Sequence, residues 1–76
     1  MHAIPLTACK SSMVAGVGYD AASKTLAVQF NGGSIYHYAE VPPEVFTDLQ
    51  RSESVGQFIN RQIKGQYAAE KIVVQT

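Results

Sequence analysis

The apolar positions of this chain change their spacing near residue 41. Before it they alternate. Leu26, Val28 and Phe30 are interleaved with Thr25, Ala27 and Gln29, the period of a strand with one face in a core. Asn31-Gly32-Gly33 follows, residues that accept the positive φ of a tight hairpin, and predicts a return strand from Ser34 to Ala39 with Tyr36 and Tyr38 on one face and Ile35 and His37 on the other. Upstream, Met13, Ala15, Val17 and Tyr19 fall on one face and Val14, Gly16 and Gly18 on the other. That pattern predicts a strand from about Ser12 with a nearly bare second face. Asp20-Ala21-Ala22-Ser23 supplies a turn, so the expected sheet is a small three-stranded antiparallel meander.

Val41-Pro42-Pro43 ends the alternation, because proline donates nothing to a ladder. Pro43 and Glu44 suit the first turn of a helix, expected to run to about Arg51 with Val45, Phe46 and Leu49 on its apolar side. Ser54 and Gln57 have the spacing of a capping box and open a second helix, Val55 to about Gln66, in which Val55, Ile59, Ile63 and Tyr67 recur every fourth residue beside Phe58. Phe30, Phe46, Leu49, Phe58, Ile59 and Ile63 form the expected core. Gly56, just after the cap, reads as a position of close approach. The expected class is α+β, with both helices on one face of the sheet. Residues 1–10 read as an arm, either loose or a short edge strand, and residues 11–76 as a single domain; Ile72-Val73-Val74 either frames a sheet edge or frays.

A chain of 76 residues with 46% apolar content and zero formal net charge is too hydrophobic for a disordered segment and too neutral for a generally basic nucleic-acid binder. Any electrostatic footprint is therefore local. Arg51, Arg61, Lys64 and Lys71 outnumber Glu53 and Glu70 in the last third, whereas Asp20, Glu40, Glu44 and Asp48 outnumber Lys10 and Lys24 before it. The single Cys9 has no partner for an internal disulfide. Neither a membrane span nor a leader pattern is present in the sequence, which makes the cytoplasm the expected compartment and excludes a membrane partner.

Catalytic and metal constellations are missing from the pattern. His37 stands without an acid–base partner in sequence, and His2 with one cysteine falls short of the three or four ligands a metal needs. Cys9, followed by Lys10-Ser11-Ser12, has neighbours that suit an activated thiol, but a cysteine in a loose terminal arm is more often incidental and no nucleophile is expected. Gly16-Val17-Gly18 sits within a strand rather than before a helix, so it is no dinucleotide turn. No cofactor is expected. Tyr36 and Tyr38 suit base stacking as well as packing beneath helices. Asn60, Arg61 and Lys64, with Lys71 beyond them, form a polar, cationic group opposite the apolar stripe, suited to phosphates or to solvent.

Several motifs succeed one another in a specific order: Ser11-Ser12, Val17-Gly18-Tyr19-Asp20, Leu26 to Phe30, Gly33 with Tyr36-His37-Tyr38, Val41-Pro42, Ser54-Val55-Gly56, Phe58-Ile59-Asn60 and Ile63 to Tyr67. In this succession, from Ser11 to Lys71, the chain resembles the KTSC domain, a family named for a C-terminal appendage of some lysyl-tRNA synthetases. The resemblance makes Gly33, Pro42, Ser54 and Gly56 its structural positions and implies a stand-alone member, of a kind found in bacteria and phages, without established enzymatic activity. It departs from the pattern at Ile59, where an aromatic residue is common, and at Ser52, where alanine is common; the first change is expected to reduce the aromatic surface.

Two functions are compatible with these features. One is a non-enzymatic RNA-binding or tRNA-associated module using Arg61, Lys64 and Lys71 for phosphates and Tyr36 or Tyr38 for a base. The other is a protein-interaction module of phage or prophage origin that binds a host or phage protein through a sheet edge or groove.

Overall fold

The structure is a computed structural model that describes residues 4–9 and 11–72. Five strands form one antiparallel sheet in chain order: β1 (Thr7–Ala8), β2 (Val14–Asp20), β3 (Thr25–Phe30), β4 (Ile35–Tyr38) and β5 (Ala69–Ile72). The expected meander is its middle. Sequence reasoning left Thr7–Ala8 open because a two-residue strand carries no readable period, yet Thr7 stands opposite Val17 and Ala8 opposite Gly16. The fifth strand returns after the helices, with Ala69 opposite Tyr38 and Lys71 opposite Tyr36. The Met1–Ala3 part of the arm, Lys10, and the Val73-Val74 part of the C-terminal expectation lie outside the described residues.

The β3–β4 hairpin forms as its glycines require. Gly32 and Gly33 have φ of 109° and 99°, and the Phe30 N–H donates to the Ser34 carbonyl at 2.8 Å. On β2 the expected faces do not hold. A bulge between Val14 and Gly16 shifts the register against β3, since one extra residue on one strand reverses every side chain beyond it. Val14 therefore joins Val17 and Tyr19 on the inner face, with Leu26, Val28, Phe30, Tyr36 and Tyr38 from the next two strands.

Helix α1 spans Pro43–Arg51, as expected, and buries Leu49. Its Phe46 ring stacks on Tyr19 with centroids 5.2 Å apart, while the Tyr19 hydroxyl donates to the Val41 carbonyl. Ser52 ends the helix by donating its hydroxyl to the Leu49 carbonyl at 2.8 Å. Alanine could not make that bond. The second helix is shorter than its periodicity predicts: α2 covers Val55–Phe58, and a π-helical segment, Ile59–Ile63, completes it. Lys64 is already extended, and Gly65 has φ of 80°, so the chain turns three residues before the expected end at Gln66. A four-residue apolar repeat does not reveal that stop, because Tyr67 still returns to pack on the core from the following turn.

The core is centred on Val14, Leu26, Val28, Val41, Leu49, Ile59 and Ile63, all without exposed surface. Phe30, Phe46 and Phe58, expected in the interior, are half-buried at its margin. Ile59, expected to cost the domain aromatic surface, occupies the interior, where it subtracts nothing from the outside. The back of the sheet is also not bare: Gly16 and Gly18 are buried because residues Ile4 to Thr7 pass directly over them.

Candidate functional site

Beside the buried core, the inner face of β4 opens into a groove of about 450 Å³ lined by Phe30, Ser34, Tyr36, Tyr38, Lys64, Gly65, Tyr67 and Ala69. Its walls follow from the fold. Tyr36 and Tyr38 project to one side because they are two apart on a strand, and the early turn at Gly65 brings Lys64 and Tyr67 over them. Phe30 meets Tyr36 edge-on with centroids 5.6 Å apart, and Tyr36 and Tyr38 lie 6.5 Å apart with rings inclined by 29°. The Lys64 ammonium stands 5.0 Å from the Phe30 centroid, within the range in which a ring quadrupole attracts a cation.

The sequence candidates divide here. Tyr36, Tyr38 and Lys64 meet in the groove, and Lys71 stands beside them, opposite Tyr36 on β5. Tyr38 is only 3% exposed, so it forms the floor and Tyr36 is the tyrosine of the pair with a reachable face. Arg61 lies elsewhere, in a cleft with Ser52, Glu53, Ser54, Gln57, Phe58 and Gln62. Asn60 is turned toward the β2 entry, its amide 3.7 Å from the Met13 sulfur. Phe30 and Tyr67 were not foreseen as site residues. Tyr67 was legible only as a member of the apolar stripe, and Phe30 as a core residue of the most regular strand.

The structural positions act as local geometry requires. Gly33 turns the hairpin, Pro42 precedes α1, and the Ser54 hydroxyl accepts from the Gln57 N–H at 3.3 Å. Gly56 is buried, and a Cβ there would come within 3.2 Å of the Met13 sulfur and 3.3 Å of the Ser11 hydroxyl. Burial pushes the Cys9 thiol up, which disfavours the thiolate, and among the described residues no three His, Cys, Asp or Glu side chains converge as a metal site. His37 stands on the other face of the sheet, opposite Ala27 and Glu70. No helix among the described residues is long and apolar enough to cross a membrane.

Comparison with known proteins places this geometry in a family. The KTSC domain profile matches residues 10–67. A protein from Tsukamurella paurometabola is 48% identical over 60 residues, covering 79% of this chain and 90% of that one. A lysine–tRNA ligase from Nostoc punctiforme is 37% identical over 70 residues, covering 92% of this chain but 12% of the ligase. The crystal structure of a KTSC domain protein from Yersinia pestis superposes with a TM-score of 0.87 at 30% identity, over 93% of this chain and all of that one. The chain belongs to the KTSC domain family.

Proposed function

We propose that this domain is a small, non-enzymatic RNA-binding module that works in the cytoplasm beside tRNA or another RNA. The observation that carries the reading is the groove itself, which sets the aromatic rings of Tyr36 and Tyr67 beside the Lys64 cation with no carboxylate among its lining residues. Aromatic faces stack bases regardless of sequence, and lysines neutralise the phosphates between them. The similarity to lysine–tRNA ligases is in keeping with an RNA partner. Since the chain spans only 12% of those ligases, their activity does not pass to it.

The test is a titration of the isotopically labelled domain with unmodified tRNA at low salt, where phosphate attraction is strongest. Amide shifts that grow with RNA and fade with added salt are expected. Unchanged spectra would reject the reading and put the protein-interaction module first, with the outer edge of β5, last in the sheet, as its docking surface for a host or phage protein.

A further inference from the structure

We infer that the groove takes one unpaired nucleotide, its base against Tyr36 and Tyr67 and its phosphate on Lys64, and that Phe30 positions the lysine for that contact. The inference rests on the RNA-binding reading and assigns it a site and a substrate class. Size is the first ground. About 450 Å³ lies at the small end of ligand clefts, which run from about 300 to 1,000 Å³, and accommodates a base with its sugar.

Shape gives the second. The groove is bounded on one side by β4 and on the other by the turn from Lys64 to Tyr67, with the buried Tyr38 as its floor. A base enters such a slot only when it is splayed out of a helix. Both Tyr36 and Tyr67 are half-buried, each held by the core on one side and open to the groove on the other. Ser34 and the tyrosine hydroxyls are the polar groups available to a base edge or a ribose.

Charge gives the third. Among the described residues no acidic side chain lines the groove; Lys64 lines it, Lys71 stands opposite Tyr36 on the neighbouring strand, and both cations are exposed. A phosphate can therefore meet them without displacing an ion pair. Lys64 sits over the Phe30 ring, a contact that restrains a long flexible side chain at the groove mouth before any ligand arrives. The neighbouring Gly65, at φ of 80°, sets the direction of that approach.

The test uses the whole chain and three probes: single-stranded oligoadenylate RNA, the same sequence as DNA, and a self-complementary RNA duplex. Expected are amide shifts centred on Ser34, Tyr36, Gly65 and Tyr67 with the single strands and none there with the duplex. Comparable binding of RNA and DNA would mean that the site recognises the unpaired nucleotide and not its sugar; preference for RNA adds a ribose contact to the same site. Tyr36→Leu and Lys64→Gln should each weaken the single-stranded complex about tenfold, as loss of one stacked base or one charged contact entails, and Lys64→Arg should recover most of it. Phe30→Leu should weaken binding less, and have no further effect once Lys64→Gln is present, which marks it as a positioning residue. Lys64 is exposed, so its variant reports on binding even where Tyr36→Leu lowers stability. Equal binding of duplex and single strand, or shifts confined to the Arg61 cleft and unchanged by Lys64→Gln, would overturn the inference while leaving RNA binding in place. Absence of binding to every probe would remove both.

Discussion

Gly18 on β2 lies directly under the carbonyl of Pro5: a Cβ on residue 18 would overlap the Pro5 oxygen and come within 3.0 Å of the Ile4 side chain. The glycine is thus a seat for the N-terminal segment, not a gap in the strand. Gly18→Ala is expected to cost about 3 kcal/mol, the upper part of the overpacking range. Gly16→Ala, whose Cβ would stand 3.1 Å from the Thr7 oxygen, should cost about 1 kcal/mol. Urea denaturation gives both values, and hydrogen exchange at Thr7 and Ala8 should accelerate first in Gly18→Ala.

Gly56 makes a similar approach to a softer neighbour. Its closest contacts are to the side chains of Met13, which is 39% exposed, and Ser11. Met13 can yield to a methyl group, and alanine is the better helix former by about 1 kcal/mol, so Gly56→Ala should be close to neutral. Gly56→Leu should destabilise by about 1–3 kcal/mol. A leucine variant that melts like the parent would contradict the close packing of α2 on the segment Ser11–Met13.

Burial ranks the apolar truncations. Leu49→Ala and Ile59→Ala, at fully buried positions, should each cost about 2–5 kcal/mol, enough to threaten a domain whose total stability is on the order of 5–15 kcal/mol. Phe58→Ala should cost less, because Phe58 is half-buried. Thermal melts of the three variants at equal concentration check the order.

Alkaline pH should unfold the domain through its tyrosines. Desolvation raises the Tyr38 hydroxyl above the ordinary tyrosine value, with Tyr36 adding to the shift, and desolvation followed by Asp20 does the same to Tyr19. The folded state then holds its proton more tightly than the unfolded one. The stability this contributes is complete below about pH 10, the unfolded value, and disappears as pH rises through the raised folded values. Tyr38→Phe, which keeps the ring, should flatten the loss above pH 10, as denaturation midpoints measured across that interval will record.

Much of this fold was legible because its strongest signals are local. Leu26, Val28 and Phe30 alternate cleanly, Asn31-Gly32-Gly33 prescribes its turn, and Pro43 and Ser54 open the two helices where they were expected. What escaped was non-local or too short to have a period. Thr7–Ala8 becomes a strand only because Val17 and Gly16 offer a ladder, the bulge before Gly16 leaves no mark in the apolar pattern, and Ala69–Ile72 is half polar and mostly exposed. The groove was half legible. Tyr36, Tyr38, Lys64 and Lys71 could be named from residue type and spacing, but the helix periodicity that suggested Lys64 also grouped it with Arg61, and only the early turn at Gly65 separates the two. Phe30 and Tyr67 looked like core because each does pack on the core with one side.

The separation of Lys64 from Arg61 allows the most direct test: the salt dependence of oligoadenylate RNA binding for the parent, Lys64→Gln and Arg61→Gln. If the groove is the binding site, Lys64→Gln weakens binding and reduces the slope of log affinity against log salt by about one, and Arg61→Gln leaves both nearly unchanged. Identical slopes for the parent and Lys64→Gln, or a loss confined to Arg61→Gln, would contradict the account.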